Sequence, residues 1–226
     1  MKLMYALWGS RLADALRSDD LHRELAALGA TELQVNIDDA EVAAAQLRLT
    51  TYEQPVGAVV SVWTPQAASA VTDVLSSVAE RVAGWRVQES APLPPPASAD
   101  GVRTDALANI ALLRIPAGMD RREWLRRWQD DHTSVAIETQ ATFGYVQNTV
   151  IESLTESAPV DALVEELFPM AAMTDPHAFY GSDGDDGELQ RRVMRMMESI
   201  GSFGADTDVD VIPTSRYVYN LAPRRR

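Results

Sequence analysis

Hydrophobic and polar positions alternate in a pattern that runs through the chain twice. Residues 3–90 and 108–220 each read strand, helix, strand, strand, helix, strand. In the first unit Leu3–Leu7 is an apolar strand run. Leu12, Leu16, Leu21, Leu25 and Leu28 make a helical stripe over Arg11–Leu28, with Ser18-Asp19-Asp20 as a break or restart and Gly29 as the C-terminal cap. Thr31–Ile37 sets Leu33, Val35 and Ile37 against Glu32, Gln34 and Asn36, which predicts a half-buried strand. Glu41–Leu47 is short enough for one helical turn or two. GAVVSVW is a third strand. Thr64 and Pro65 then predict the start of a helix carrying Val71, Val74, Leu75, Val78 and Val82, which Gly84 ends. WRVQES is the fourth strand.

The second unit repeats the order. NIALLR is a strand, and Asp120 through Glu123 has capping-box spacing. Trp124, Trp128 and His132 follow at i, i+4 and i+8, which predicts one helix face. FGYVQNTV and ALVEELF are strands, Leu189–Ile200 is a helix, and Asp210–Asn220 is the last strand, with Pro213 signalling an edge or a bulge. The fold class is therefore α+β. A βαββαβ unit covers one face of its sheet with helices, and the other face stays bare until a second sheet closes on it. Two such units packed sheet to sheet divide the chain into 1–91, a Pro-rich linker at 92–101 and 102–226. The enclosed space between the sheets is the place to expect a small-molecule site.

Composition narrows the chemistry. A net charge of −13 argues against nucleic acid or an anionic membrane as a partner, and the closing Arg224, Arg225 and Arg226 read as a solvated tail. No stretch approaches the roughly 20 apolar residues of a membrane helix. The chain has no cysteine, which removes disulfides, thiolate catalysis and Cys-based metal sites, and the cytoplasm is the default compartment. Lys2 is the only lysine. Neither a Walker A loop nor a Schiff-base site on a buried lysine is expected. GSDGDDGE and ADTDVDV look calcium-like, but both lack the Gly and Glu that an EF-hand loop needs at its sixth and twelfth positions.

Among the three histidines, His132 stands out because it ends an aromatic helix face just before the second strand. It is a candidate general base, general acid or hydrogen-bond donor; the alternative is a histidine that caps its helix or packs on Trp128. Tyr145 and Gln147 share a strand face opposite Val146. If Val146 packs on the helices, they look into the space between the sheets; the opposite assignment turns them towards the helices. Arg114 is placed to meet an anionic ligand or to form an ordinary ion pair. Trp8, Asn36, Trp63 and Trp128 are candidates to line the cavity, against plain core packing for the aromatics.

The stretch ALLRIPAGMDRREWLRRWQDDHTSVAIETQATFGYVQNTV resembles the EthD-like family of dimeric α/β-barrel proteins. That family's W-x-x-x-H and Y-x-Q fall here on Trp128, His132, Tyr145 and Gln147. The likeness spans about residues 108–220, while residues 1–90 match only in the order of elements and lack a second W-x-x-x-H. It implies two ferredoxin-like units forming an α/β barrel within one chain, with at most one histidine-bearing site and a further homodimer left open. With one histidine beside polar groups on the expected cavity face, the function expected is acid–base chemistry without a tightly bound cofactor or metal on a hydrophobic oxygenated ring compound, by cyclisation, dehydration or isomerisation. His132 would move the proton, with Tyr145 and Gln147 holding the carbonyl or enolate. A cofactor-independent or haem-dependent monooxygenase and a non-catalytic binding barrel are the alternatives.

Overall fold

The computed structural model describes residues 1–222, so the terminal arginines lie outside the described residues. Eight strands alternate with helices in the predicted order. They are β1 (Lys2–Trp8), β2 (Glu32–Ile37), β3 (Ala58–Trp63), β4 (Arg81–Leu93), β5 (Leu107–Leu113), β6 (Gly144–Ser153), β7 (Ala162–Phe168) and β8 (Asp210–Asn220). The helices are α1 (Leu12–Leu16), α2 (Asp19–Ala27), α3 (Ala68–Ser76), α4 (Arg121–Leu125), α5 (Thr133–Thr139), α6 (Pro176–Tyr180) and α7 (Asp186–Phe203).

The strands close into one barrel in the order β1-β3-β2-β8-β5-β7-β6-β4. Four consecutive strands come from each half. Two seams join them: β2 pairs β8 from Glu32↔Asn220 to Ile37↔Ser215, and β4 pairs β6 from Trp85↔Ser153 to Leu93↔Tyr145. β4 thus runs into the Pro-rich segment and uses its first residues as wall. Closure leaves no free sheet edge among the described residues, which removes the usual template for unwanted strand pairing.

The barrel wall has two buried faces. Outside, Leu3, Tyr5, Leu7, Leu33, Val35 and Val60 meet Leu16, Leu25, Val71 and Leu75 from the amino-terminal helices. Inside, Met4, Trp8, Trp85, Ile110, Leu112, Leu163 and Ile212 from both halves pack together. The half-buried prediction for β2 is corrected by this second face. Gln34 and Asn36 are buried with Leu33, Val35 and Ile37, because the polar side of the strand points into the barrel rather than to water. There Gln34 Nε2 and Asn36 Nδ2 each donate to Glu165 Oε1 at 2.9 Å, and Arg216 Nε lies 3.2 Å from the same oxygen.

Several local expectations change. The predicted helix from Pro65 to Gly84 forms only as α3. Thr64 Oγ1 accepts from Gln66 N at 3.1 Å in a local turn, and the chain re-enters the sheet at Arg81. Gly84 lies opposite Tyr5, where an added Cβ would sit 2.5 Å from the tyrosine ring, so the glycine is a packing requirement and not a helix cap. Pro213 is in neither an edge nor a bulge. β8 pairs β5 over 210–214 and β2 over 215–220, so the proline falls before the β2 ladder starts and no β2 hydrogen bond is lost. Lys2 is buried, contrary to expectation, but burial lowers its pKa and its ammonium pairs with Glu89 over the Trp63 ring.

Candidate functional site

The carboxy-terminal half carries its site between the sheet and its helices, outside the barrel. α4 continues without a break through a π-helical segment, Arg126–His132, into α5. Asp120 starts this helix by accepting from the backbone N–H groups of Arg122 and Glu123 at 2.9 and 3.2 Å. A π turn bonds i to i+5 and takes more than four residues, so a spacing of four still returns to nearly one side. Trp124 and Trp128 pack at a 35° tilt with ring centroids 5.2 Å apart, and His132 lies 4.8 Å from the Phe203 ring of α7. His132 does not end its helix, which runs on to Thr139.

Below this helix and α7 is a cavity of about 340 Å³. Most of its wall is apolar: Trp128, Val164, Phe179, Met196, Ile200 and Phe203 among others. Its polar groups converge on the sheet floor. Glu166 on β7 stands in register with Asn109 on β5 and with Tyr145 on β6, so an amide, a carboxyl and a phenol lie side by side. Directly paired residues place their Cβ atoms about 5 Å apart. Gln140 and Tyr180 also line the space.

The buried oxygens Asn109 Oδ1, Gln140 Oε1 and Glu166 Oε1 have no hydrogen-bond partner among the described residues. Unpaired buried oxygens are rare because each gives up its hydration without return. All three surround the one cavity.

Burial sets the protonation states. It pushes the Glu166 carboxyl up to about 7, so this group exchanges a proton near neutrality. It pushes the His132 imidazole down to about 4, which leaves the ring neutral at pH 7. Its Nδ1 is 2.9 Å from Ser199 Oγ. Burial, with the charge of Glu166 as a second cause, raises the Tyr145 and Tyr180 phenols and keeps both protonated. A carboxyl able to cycle, two phenol donors and a neutral imidazole thus share one apolar space.

The residues singled out from sequence divide between this site and elsewhere. His132, Tyr145 and Trp128 line the cavity together. They do so on the helix side of the sheet, because Val146 is the residue that turns inward; the hollow is not between two sheets. Gln147 is near but outside it. Its Nε2 donates to Thr133 Oγ1 at 2.8 Å and ties α5 to β6, beside a separate shallow groove. Asn36 belongs to the interior network around Glu165. Trp8 is inside the barrel, its Nε1 donating to the Gln54 carbonyl at 2.9 Å, and Trp63 lies under Lys2 towards the opposite end of β1. Arg114 is consumed by a 2.7 Å ion pair with buried Asp210 and by bonds to the Pro159 and Asp208 carbonyls. These four are on other surfaces of the wall from the cavity.

Glu166 and Asn109 were missed. The signal was present in ALVEELF, where two acids interrupt an apolar strand: one acid on each face of a strand buried on both sides cannot reach water. A cavity of this size is near the lower end of small-molecule sites, about 300–1,000 Å³. Among the described residues no three metal-ligating side chains cluster, and no helix is long and apolar enough to cross a membrane.

No family model matches the sequence, and no curated protein does. Solved structures do resemble the fold. One described as a "Putative monooxygenase" from Fusobacterium nucleatum subsp. nucleatum ATCC 25586 is 9% identical, with 97% of this chain and 93% of that chain covered, at a TM-score of 0.48. Another, an anthrone oxidase-like protein, is 7% identical, with 99% of this chain and 94% of that chain covered, at a TM-score of 0.62. What this chain shares with the second structure is the fold, a mixed α and β barrel closed by eight antiparallel strands.

Proposed function

We propose that the cavity binds a hydrophobic, oxygenated ring compound and that Glu166 moves a proton to and from it without a tightly bound cofactor. One observation carries this: a carboxyl lifted to about 7, with one oxygen unpaired, on the floor of an apolar cavity. As a carboxylate, Glu166 takes the proton from a carbon next to a ring carbonyl, leaving an enolate and a neutral carboxylic acid. The Tyr145 phenol and the Asn109 amide stand on either side of Glu166 to donate to the enolate oxygen. Returning the proton to another carbon is an isomerisation. Giving it to a departing hydroxyl completes a dehydration with loss of water, and attack of the enolate carbon on a second carbonyl, whose alkoxide takes the proton back from Glu166, is a cyclisation. His132, neutral and held at Nδ1, acts as a hydrogen-bonding group rather than the proton carrier. The EthD-like likeness of residues 108–220 belongs to the same proposal and is supported by His132 and Tyr145 lining one cavity.

The test does not require knowing the product. Hydroxylated bicyclic and tricyclic ketones are screened by quenching of tryptophan fluorescence, and binders are incubated in D2O. Wild-type protein is expected to exchange the acidic C–H for deuterium, detected by mass spectrometry. Glu166→Gln should bind and not exchange. Equal exchange by both proteins would remove Glu166 from the mechanism.

A second outcome for the same enolate is reaction with O2, in which a ring CH2 becomes a carbonyl and the other oxygen atom leaves as water. The anthrone oxidase-like fold neighbour favours including it. Oxygen uptake with a bound ligand separates it from the non-oxidative reactions.

A further inference from the structure

Two residues on the cavity wall come from the other half of the molecule. Leu47 and Leu49 are in the segment between β2 and β3, yet both line the space above Glu166. They are 41% and 45% exposed, so each has one side in solvent and the other turned to the cavity. Met197 of α7, 51% exposed, faces them across the opening.

This segment is fastened on both sides of the leucines. Gln46 N donates to the Met173 carbonyl at 3.0 Å. Leu49 and Val211 exchange both backbone hydrogen bonds, at 3.1 and 2.9 Å, and Val211 itself lines the cavity. Thr51 N and Oγ1 both bond the buried Asp210 carboxylate, at 2.6 and 2.9 Å. Within the segment, Arg48 pairs with Asp38 and donates to the Val42 carbonyl at 3.1 Å. The leucines are therefore held in place, as a fixed strap across the mouth.

We propose that Leu47 and Leu49 are specificity-determining residues for the proposed site, selecting ligands whose end remote from Glu166 is apolar. Asn109, Glu166 and Tyr145 are on the sheet floor, with His132, Gln140 and Tyr180 also lining the space, while the rim offers Leu47, Leu49, Met197, Val209 and Val211 with one exposed carboxylate, Asp206. A ligand long enough to span both has an oxygenated head and a hydrocarbon tail. The inference rests on the reading of the cavity as a ring-compound site.

The probes are 2-naphthol and 6-hexyl-2-naphthol, which share a head and differ in tail, with affinity read by tryptophan quenching. The hexyl compound is expected to bind wild-type protein more tightly. Leu49→Asn and Leu47→Asn should each weaken the hexyl compound by about tenfold, about 1.4 kcal/mol, and leave 2-naphthol within twofold. Leu49→Met should restore hexyl binding. Equal weakening of both compounds, or of neither, overturns the strap's role while the cavity reading stands. Failure of wild-type protein to bind either compound overturns both.

Discussion

Glu165 and Glu166 are consecutive residues of β7 whose carboxyls lie on opposite sides of the barrel wall. Glu165 points inward and is held by Gln34, Asn36 and Arg216. Glu166 points to the helices and has an unpaired oxygen in the cavity. Strand geometry alone separates them, since successive side chains alternate faces. One carboxylate is taken up by partners inside the barrel, and its neighbour is not.

Replacing Glu166 with Gln should cost activity and gain stability. General acid–base groups contribute about 10²–10⁴-fold in rate, so exchange or turnover is expected to fall by at least ~100-fold. Wild-type kcat/KM should rise with pH through about 7, as the carboxyl becomes a base, and the variant should lack that limb.

The stability effect follows from the direction of the shift. A folded-state pKa raised from 4.5 to about 7 means that the native protein holds this proton more tightly than the unfolded chain. The contribution is complete below about 4.5 and lost as pH rises through about 7. Glu166→Gln should therefore melt above wild type at pH 8, with the gap narrowing as pH falls towards 4.5.

His132 gives the opposite dependence. Burial lowers its pKa from 6.5 to about 4, so its contribution is present above 6.5 and lost as pH falls through 4. His132→Gln should flatten the acid side of the Tm–pH curve between those values. A variant curve parallel to wild type there would mean that the imidazole is not buried in solution.

The interior ion pair should be strongly asymmetric to mutation. Glu165→Gln leaves the buried Arg216 guanidinium without its counter-charge and should destabilise by roughly 3–5 kcal/mol. Changing both residues to Met should recover much of that loss, measured by denaturant unfolding. Full additivity of the two single changes would argue that the pair does not interact.

Gly84→Ala tests the contact with Tyr5. The added methyl meets the ring at 2.5 Å, and overpacking of this kind costs typically ~1–3 kcal/mol. A lower Tm is expected, with ligand binding in the other half unchanged.

Much of the fold was legible because strand periodicity is local. Leu3–Leu7, Thr31–Ile37, GAVVSVW and ALVEELF each carry their own signal. Barrel closure is not local: Gln34 read as solvent-facing because its partners, Glu165 and Arg216, are more than a hundred residues away. The same blindness moved the site. Trp128, His132 and Tyr145 were identifiable by type, but which side of β6 they share depends on whether Val146 turns in or out, and strand alternation by itself does not decide that. The helix expected to reach Gly84 failed for a different reason. Val78 and Val82 keep helical spacing by coincidence, while Val82 pairs with Leu7 in the sheet.

The strap and the two seams together remove a symmetry constraint. A wall assembled from two identical subunits would have to repeat any pocket on both sides. Here one polypeptide supplies both halves, and the space beneath the amino-terminal helices is filled by Leu16, Leu25, Leu75 and their neighbours. That half instead lends its loop to the rim of the other's cavity.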